Sequence, residues 1–237
     1  MLPPNKPLEW TGLHQPSTAP PQAPCLPLRG SVSPFHFGTL DSNYVNQGAI
    51  FMPEIMIKTE RPFVEDLFAR YEVLIGRDFP GYRNHVYRTI TYVMHFLGNA
   101  KEHERLVEAA FVYHDIGLWT DHELAYLEPS EAVAVSDNQK LGLGLDPDLL
   151  RAAIHWHHKI LPYTGPHRAI IEACRKADWI DASKGMLRKG ISRAAIAEVE
   201  SEFPNLGFHD SLMRLAKDYG GSTLVGSIKV TLGIVKW

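Results

Sequence analysis

The chain has 237 residues, 45% of them hydrophobic, with a formal net charge of -3 and a pI near 6.5. That is enough apolar material for one substantial core, and the lack of a basic excess argues against nucleic acid as the main partner. Two cysteines, Cys25 and Cys174, cannot build a disulfide framework, no run of 18 apolar residues exists to span a membrane, and no charged-then-apolar leader opens the chain, so a cytoplasmic protein is expected.

Residues 1–52 differ in composition from the rest. Nine of the 17 prolines fall in the first 50 positions, acidic residues are nearly absent, and no helical period survives. A disordered, low-complexity tail without chemistry is expected there. Met52 or Met56 is placed to start a complete domain without it.

From Glu54 on, helical patterns follow one another. Pro62 opens a first helix with Phe63, Leu67, Phe68, Tyr71 and Leu74 on its apolar face, ending at Gly76. Asp78-Phe79-Pro80-Gly81 reads as a turn. A second helix, 82–98, sets Tyr82, His85, Thr89, Tyr92, Val93 and Phe96 on one side. The third, 102–116, carries an apolar stripe of Val107, Ala110, Phe111 and His114, with Asp115 beside it and Gly117 as its stop. A loop rich in Asp, His and Glu leads to a fourth helix near Pro129. Asp146-Pro147 opens a fifth that reaches His157 and His158. A sixth, about 166–183, turns Ile170, Ile171, Cys174, Ala177 and Asp178 inward. Further helices are expected at 192–201 and 209–219, the latter capped by Asp210 or Ser211. In the C-terminal segment 221–237, Leu224–Trp237 fits either a helical or an alternating period and is apolar enough to pack on a second subunit. No strand ladder is visible, so the domain at 53–220 is expected to be an all-α bundle.

His114-Asp115 organises the chemistry. A helix burying an apolar stripe should not carry an imidazole and a carboxylate at its inner end unless something compensates the charge. The pair alone is unremarkable in a chain this rich in both residues, and His209-Asp210 repeats it without a preceding stripe. With His85 and Asp178 on other inward faces, however, two imidazoles and two carboxylates converge on one candidate cation site. Such mixed nitrogen and oxygen ligation suits Mn, Fe, Co or Ni better than Zn, whose structural sites favour thiolates. Four protein ligands on an octahedral ion leave room for water and substrate.

The runs Tyr82-Arg83-Asn84-His85-Val86-Tyr87-Arg88, Tyr113-His114-Asp115-Ile116-Gly117 and Lys176-Ala177-Asp178-Trp179-Ile180-Asp181 resemble the signature of the HD superfamily of metal-dependent phosphohydrolases, over roughly residues 60–185. The resemblance implies an HD-type helical bundle in which His85, His114, Asp115 and Asp178 hold the metal. It also implies cleavage of a phosphate ester, often in a nucleotide. The family includes members with other chemistry, among them di-iron oxygenases and a hydratase branch acting on cyanamide. Two-metal members carry two further histidines. Here His157 and His158, with neighbouring His155, are candidates for one of them. His122 lies closer to His114 than usual, so one ion is expected. Glu128 or Glu131 is a candidate replacement ligand in a second site.

Remaining assignments follow from position. Arg88, one turn from His85, and Lys159 are candidate phosphate contacts, with Arg175 one turn before Asp178 as a third. Asp115 is the expected catalytic carboxylate, and His122 and Glu123, beside Asp121 in the following loop, are candidate proton donors to a leaving group. The competing classes are an HD-fold enzyme without phosphate chemistry and a non-catalytic metal- or ligand-binding module.

Overall fold

The computed structural model describes residues 54–222 and Val225, and among them every regular element is a helix. They belong to one compact unit, Phe51–Trp237. The expected tail at 1–52 and nearly all of the C-terminal segment lie outside the described residues. No described helix is long and apolar enough to cross a membrane.

The order is α1 (Pro62–Phe68), α2 (Glu72–Ile75), a 3-10 turn (Gly76–Asp78), α3 (Phe79–Phe96), α4 (Lys101–Tyr113), α5 (Gly117–Thr120), α6 (Leu127–Lys140), α7 (Pro147–Trp156), α8 (Arg168–Ala182), α9 (Arg193–Glu202) and α10 (Phe208–Gly220). Helix α3 is the axis of the bundle. It packs against α8 and α4, α7 lies against α4, α6 and α8, and α1 covers α4. From Gly81 to Met94 every α3 residue except Arg83 is buried, so this helix is enclosed rather than amphipathic. Asp137 of α6 ties the periphery together, accepting from Tyr71 (2.7 Å), Tyr113 (3.1 Å) and Arg70 (3.2 Å).

Three local expectations need correction. The first helix stops at Phe68 instead of running to Gly76, and Leu74, assigned to its apolar face, is 46% exposed. The run 78–81 is no turn. Pro80 occupies the first turn of α3, where a missing N–H costs nothing. Gly81 is needed for close approach: a Cβ there would stand 3.1 Å from Leu206 O and Phe208 N, where the α9–α10 linker crosses. Nor do Asp210 or Ser211 cap α10, which starts after Gly207 in the left-handed conformation, φ 81°. Ser211 instead donates to Phe208 O at 2.7 Å.

The other boundaries fall near their expected places. Asp146 caps α7 by accepting from the N–H groups of Asp148 and Leu149, and Ser192 caps α9 through Ala195 N–H. Ile170, Ile171, Cys174, Ala177 and Asp178 are all buried on α8.

Candidate metal centre

Helix α4 ends at Tyr113, one residue before the His-Asp pair. The chain turns through His114, Asp115 and Ile116 into α5, with His114 and Ile116 still in right-handed helical conformation. Gly117 opens α5 rather than stopping α4. A Cβ at Gly117 would lie 2.3 Å from Tyr126 O, and its N–H donates to Ser130 Oγ at 2.9 Å. Only a residue without a side chain lets the Tyr126 segment pass so close.

Five buried side chains from α3, the α4–α5 break, the end of α7 and α8 converge. One ligand atom from each of His85, His114 and Asp115 lies within 4.8 Å of the others, and the same holds for His114, His157 and Asp178. His114 belongs to both groups, so they form one cluster. His114 Nε2 is 3.1 Å from Asp115 Oδ2, His85 Nε2 is 3.7 Å from Asp178 Oδ1, and His157 Nε2 is 3.5 Å from Asp115 Oδ1.

The outward-facing nitrogens decide what these rings offer. His85 Nδ1 donates to the Asp181 carboxylate at 2.6 Å, His114 Nδ1 to Phe111 O at 2.7 Å and His157 Nδ1 to Ile154 O at 2.6 Å. A carbonyl or carboxylate oxygen only accepts, so each Nδ1 carries the proton and each Nε2 of the neutral ring is bare. Three lone pairs therefore point into one buried space beside two carboxyl groups. His85 Nε2 and His114 Nε2 stand 2.9 Å apart. Two facing lone pairs repel, whereas two ligands at right angles on a cation with bonds of about 2.1 Å stand at about this separation. Asp115 Oδ1, buried, accepts no hydrogen bond. This donor set fits a divalent cation, with the outer hydrogen bonds fixing ring orientation as they do around bound metals.

Burial shapes the charges. Desolvation pulls His85 down to about 4, despite the pull of Asp181 in the other direction. It pushes Asp178 up to about 7, with the neighbouring Asp115 and Asp181 carboxylates adding to the rise. For Asp115 desolvation also works against the charge, but His114 and His157 in their protonated forms outweigh it and hold the group well below the ordinary carboxylate range, a role that a cation on their Nε2 atoms would take over.

A pocket of about 280 Å³ opens onto the cluster, with His85, Asp115, His157 and Asp178 among its lining residues. Leu118, Phe208, Leu212 and Leu215 contribute apolar lining, and Tyr126 and His158 line it as well.

The four expected metal ligands are brought together, and His157 joins them. It groups with His114 and Asp178. His158 is in neither cation group; its Nδ1 pairs with the Tyr126 hydroxyl at 3.0 Å. The substitute ligands do not take part: Glu131 pairs with His155 at 2.9 Å and Glu128 is exposed. Arg88 is not a phosphate contact. It is buried and holds both Asp181 oxygens, with Nη1 donating to Phe203 O at 2.8 Å. Arg175 is likewise engaged by Glu172 at 2.7 Å. Lys159 is buried and absent from the pocket lining; its carbonyl accepts from Trp179 and Arg175. His122 and Glu123 are exposed and outside the pocket, with His122 Nδ1 3.3 Å from the Tyr219 hydroxyl. Adjacency to His114-Asp115 in sequence does not bring these two side chains into the pocket, although Leu124 and Tyr126 of the same loop line it. Asp181 was the residue overlooked. Its signal was present, a second carboxylate one turn after Asp178 on the same inward face. Comparison of the chain with family models, curated proteins and solved structures gives no match.

Proposed function

We propose that this protein is a metal-dependent hydrolase, with His85, His114, Asp115, His157 and Asp178 holding a divalent transition metal at the inner end of the pocket. The observation that carries the reading is the outward anchoring of three Nδ1 protons, which leaves three Nε2 lone pairs beside two carboxyl groups. When bound, such a cation supplies Lewis-acid activation of water and of the bond to be cleaved. Asp115, whose Oδ1 accepts no hydrogen bond, would hold the cation and accept a hydrogen bond from the water it activates. The apolar wall formed by Leu118, Phe208 and Leu212 limits access of bulk water to that site. Mn, Fe, Co and Ni match the mixed imidazole and carboxylate set better than Zn.

A phosphate ester, including a nucleotide, is the substrate class that the resemblance to HD phosphohydrolases implies. A second reading is a small molecule without phosphate, to which water adds at an acyl or unsaturated carbon. The apolar character of the described pocket wall favours it. Protein loaded in turn with Mn, Co, Ni and Fe, assayed against panels of phosphate esters and of small amides and nitriles, separates the two. Turnover abolished by Asp115→Ala supports hydrolysis. Binding without turnover in every panel points to a non-catalytic module, and two irons per chain with oxygen-dependent turnover overturns the hydrolase reading.

A further inference from the structure

Asp181 does not face the pocket, yet it is among the most tightly engaged side chains near the cluster. It is 3% exposed on α8, one turn beyond Asp178. Oδ2 accepts from His85 Nδ1 at 2.6 Å and from Arg88 Nη2 at 2.9 Å, and Oδ1 accepts from Arg88 Nε. The two-pronged guanidinium contact fixes the plane of the carboxylate, because the planar fork matches both oxygens together. Arg88 is itself anchored to Phe203 O at 2.8 Å, and His209 Nε2 reaches Asp181 O at 3.0 Å. The end of α9 and the first turn of α10 thus hold the two partners of the ion pair, Phe203 O on Arg88 and His209 on Asp181.

His85 is held on its faces as well. Phe208 stacks against the ring at 4.2 Å and 15°, and Tyr82 lies nearly parallel to it at 6.2 Å and 28°. Stacking fixes the plane of the ring but leaves its tautomer open. An imidazole in that slot with its proton on Nε2 would aim an N–H at His114 and could not offer a lone pair to a cation. The hydrogen bond to Asp181 is the contact that decides between these two states.

We infer that Asp181, oriented by Arg88, is a positioning residue that sets the His85 tautomer and thereby the cation affinity of the site. The inference deepens the reading of the cluster as a metal centre and rests on it. A buried Arg–carboxylate pair is not required for stability as such, since replacing both partners by apolar groups is often neutral, whereas removing one strands a charge. A role confined to structure would therefore be lost without consequence in a paired replacement.

The test uses the full chain, with Asp181→Leu/Arg88→Met as the paired variant and Asp181→Asn as a variant that keeps shape and most hydrogen bonds. Imidazole nitrogen NMR of cation-free protein reads the His85 tautomer directly, and calorimetric titration with Mn or Co reads affinity. In the parent, His85 is expected wholly in the Nδ1–H form. In the paired variant it should become a mixture, with cation affinity falling about 10- to 100-fold, while thermal stability of the cation-free protein stays close to the parent. Asp181→Asn, with a neutral acceptor, should weaken affinity roughly tenfold. Parent-like tautomer and parent-like affinity in either folded variant overturn the inference. Should the parent itself take up no cation, the metal reading fails, and the tautomer measurement still judges Asp181 separately.

Discussion

His85 and His114 face each other Nε2 to Nε2 at 2.9 Å, each with its other nitrogen already donating elsewhere. Held this way, neither ring can donate to the other without being protonated on both nitrogens, and burial opposes that charge on His85. A cation resolves the conflict. His114→Ala is expected to lower affinity for Mn or Co by more than about 100-fold, beyond the usual loss on removing an outer hydrogen-bond partner. Chelator should lower the melting temperature of the parent, because the bound ion stabilises only the folded state. It should leave the His114→Ala melting temperature unchanged. A chelator shift of equal size in both proteins would refute the assignment.

His157 distinguishes one shared cluster from two separate sites. Because it groups with His114 and Asp178, His157→Ala should weaken uptake of the same single ion. Elemental analysis with titration is expected to give one ion per chain in the parent and lower affinity for that ion in the variant. A drop from two tight ions to one would support separate sites instead.

The carboxyl of Asp178 gives a pH signature in the cation-free protein. Its folded value is raised to about 7 from an ordinary 3.8, so the folded state holds the proton more tightly than the unfolded state. The stability this contributes is fully present below about 4 and is lost as pH rises through about 7. His85 acts in the opposite sense: its folded value is lowered to about 4 from 6.5, so its contribution is present above 6.5 and is lost as pH falls toward 4. Burial lowers His158 and His95 as well, so the Asp178 contribution is read as the difference between the parent and Asp178→Asn. In chelator, the melting temperature of the parent relative to Asp178→Asn is expected to decline as pH rises toward 7 and just above. A rise of that difference over the same interval would contradict the desolvated placement of Asp178.

Gly117 tests the geometry of the α4–α5 break independently of any ion. Gly117→Ala places a methyl group against Tyr126 O, at 2.3 Å if nothing moves. Backbone on both sides must shift, at a cost of about 1–3 kcal/mol, read as a lower midpoint in urea unfolding. Since Tyr126 pairs with His158 on the pocket wall, ligand binding in the pocket should weaken as well. Parent-like stability would mean the two segments are not packed as described.

Much of the helical layout is legible in the linear pattern, because caps and periods are local. Asp146 before Pro147, Ser192 before Arg193 and the stripe through Val107, Ala110 and Phe111 each state their structure within a few residues. The same locality explains the errors. Pro80 and Gly81 punctuate a turn by propensity, yet the nearby linker at Leu206–Phe208 decides Gly81, and that contact spans about 125 positions in sequence. Leu74 looks like core until tertiary packing leaves it in solvent.

The sequence by itself determined that four ligand-type residues lie on inward faces of three helical segments, since burial of an apolar stripe carries along whatever shares its side. Only the tertiary structure decided which cations and acids attend them. Arg88, which by sequence could as well have reached for a substrate, is held by Asp181, whereas His157 turns into the cluster and His122 turns away. The physical reason is that a side chain's side of a helix follows from local spacing, but the choice among partners of comparable reach depends on which helices pack together. That choice is settled by burial over the whole core, not by any one stretch of chain.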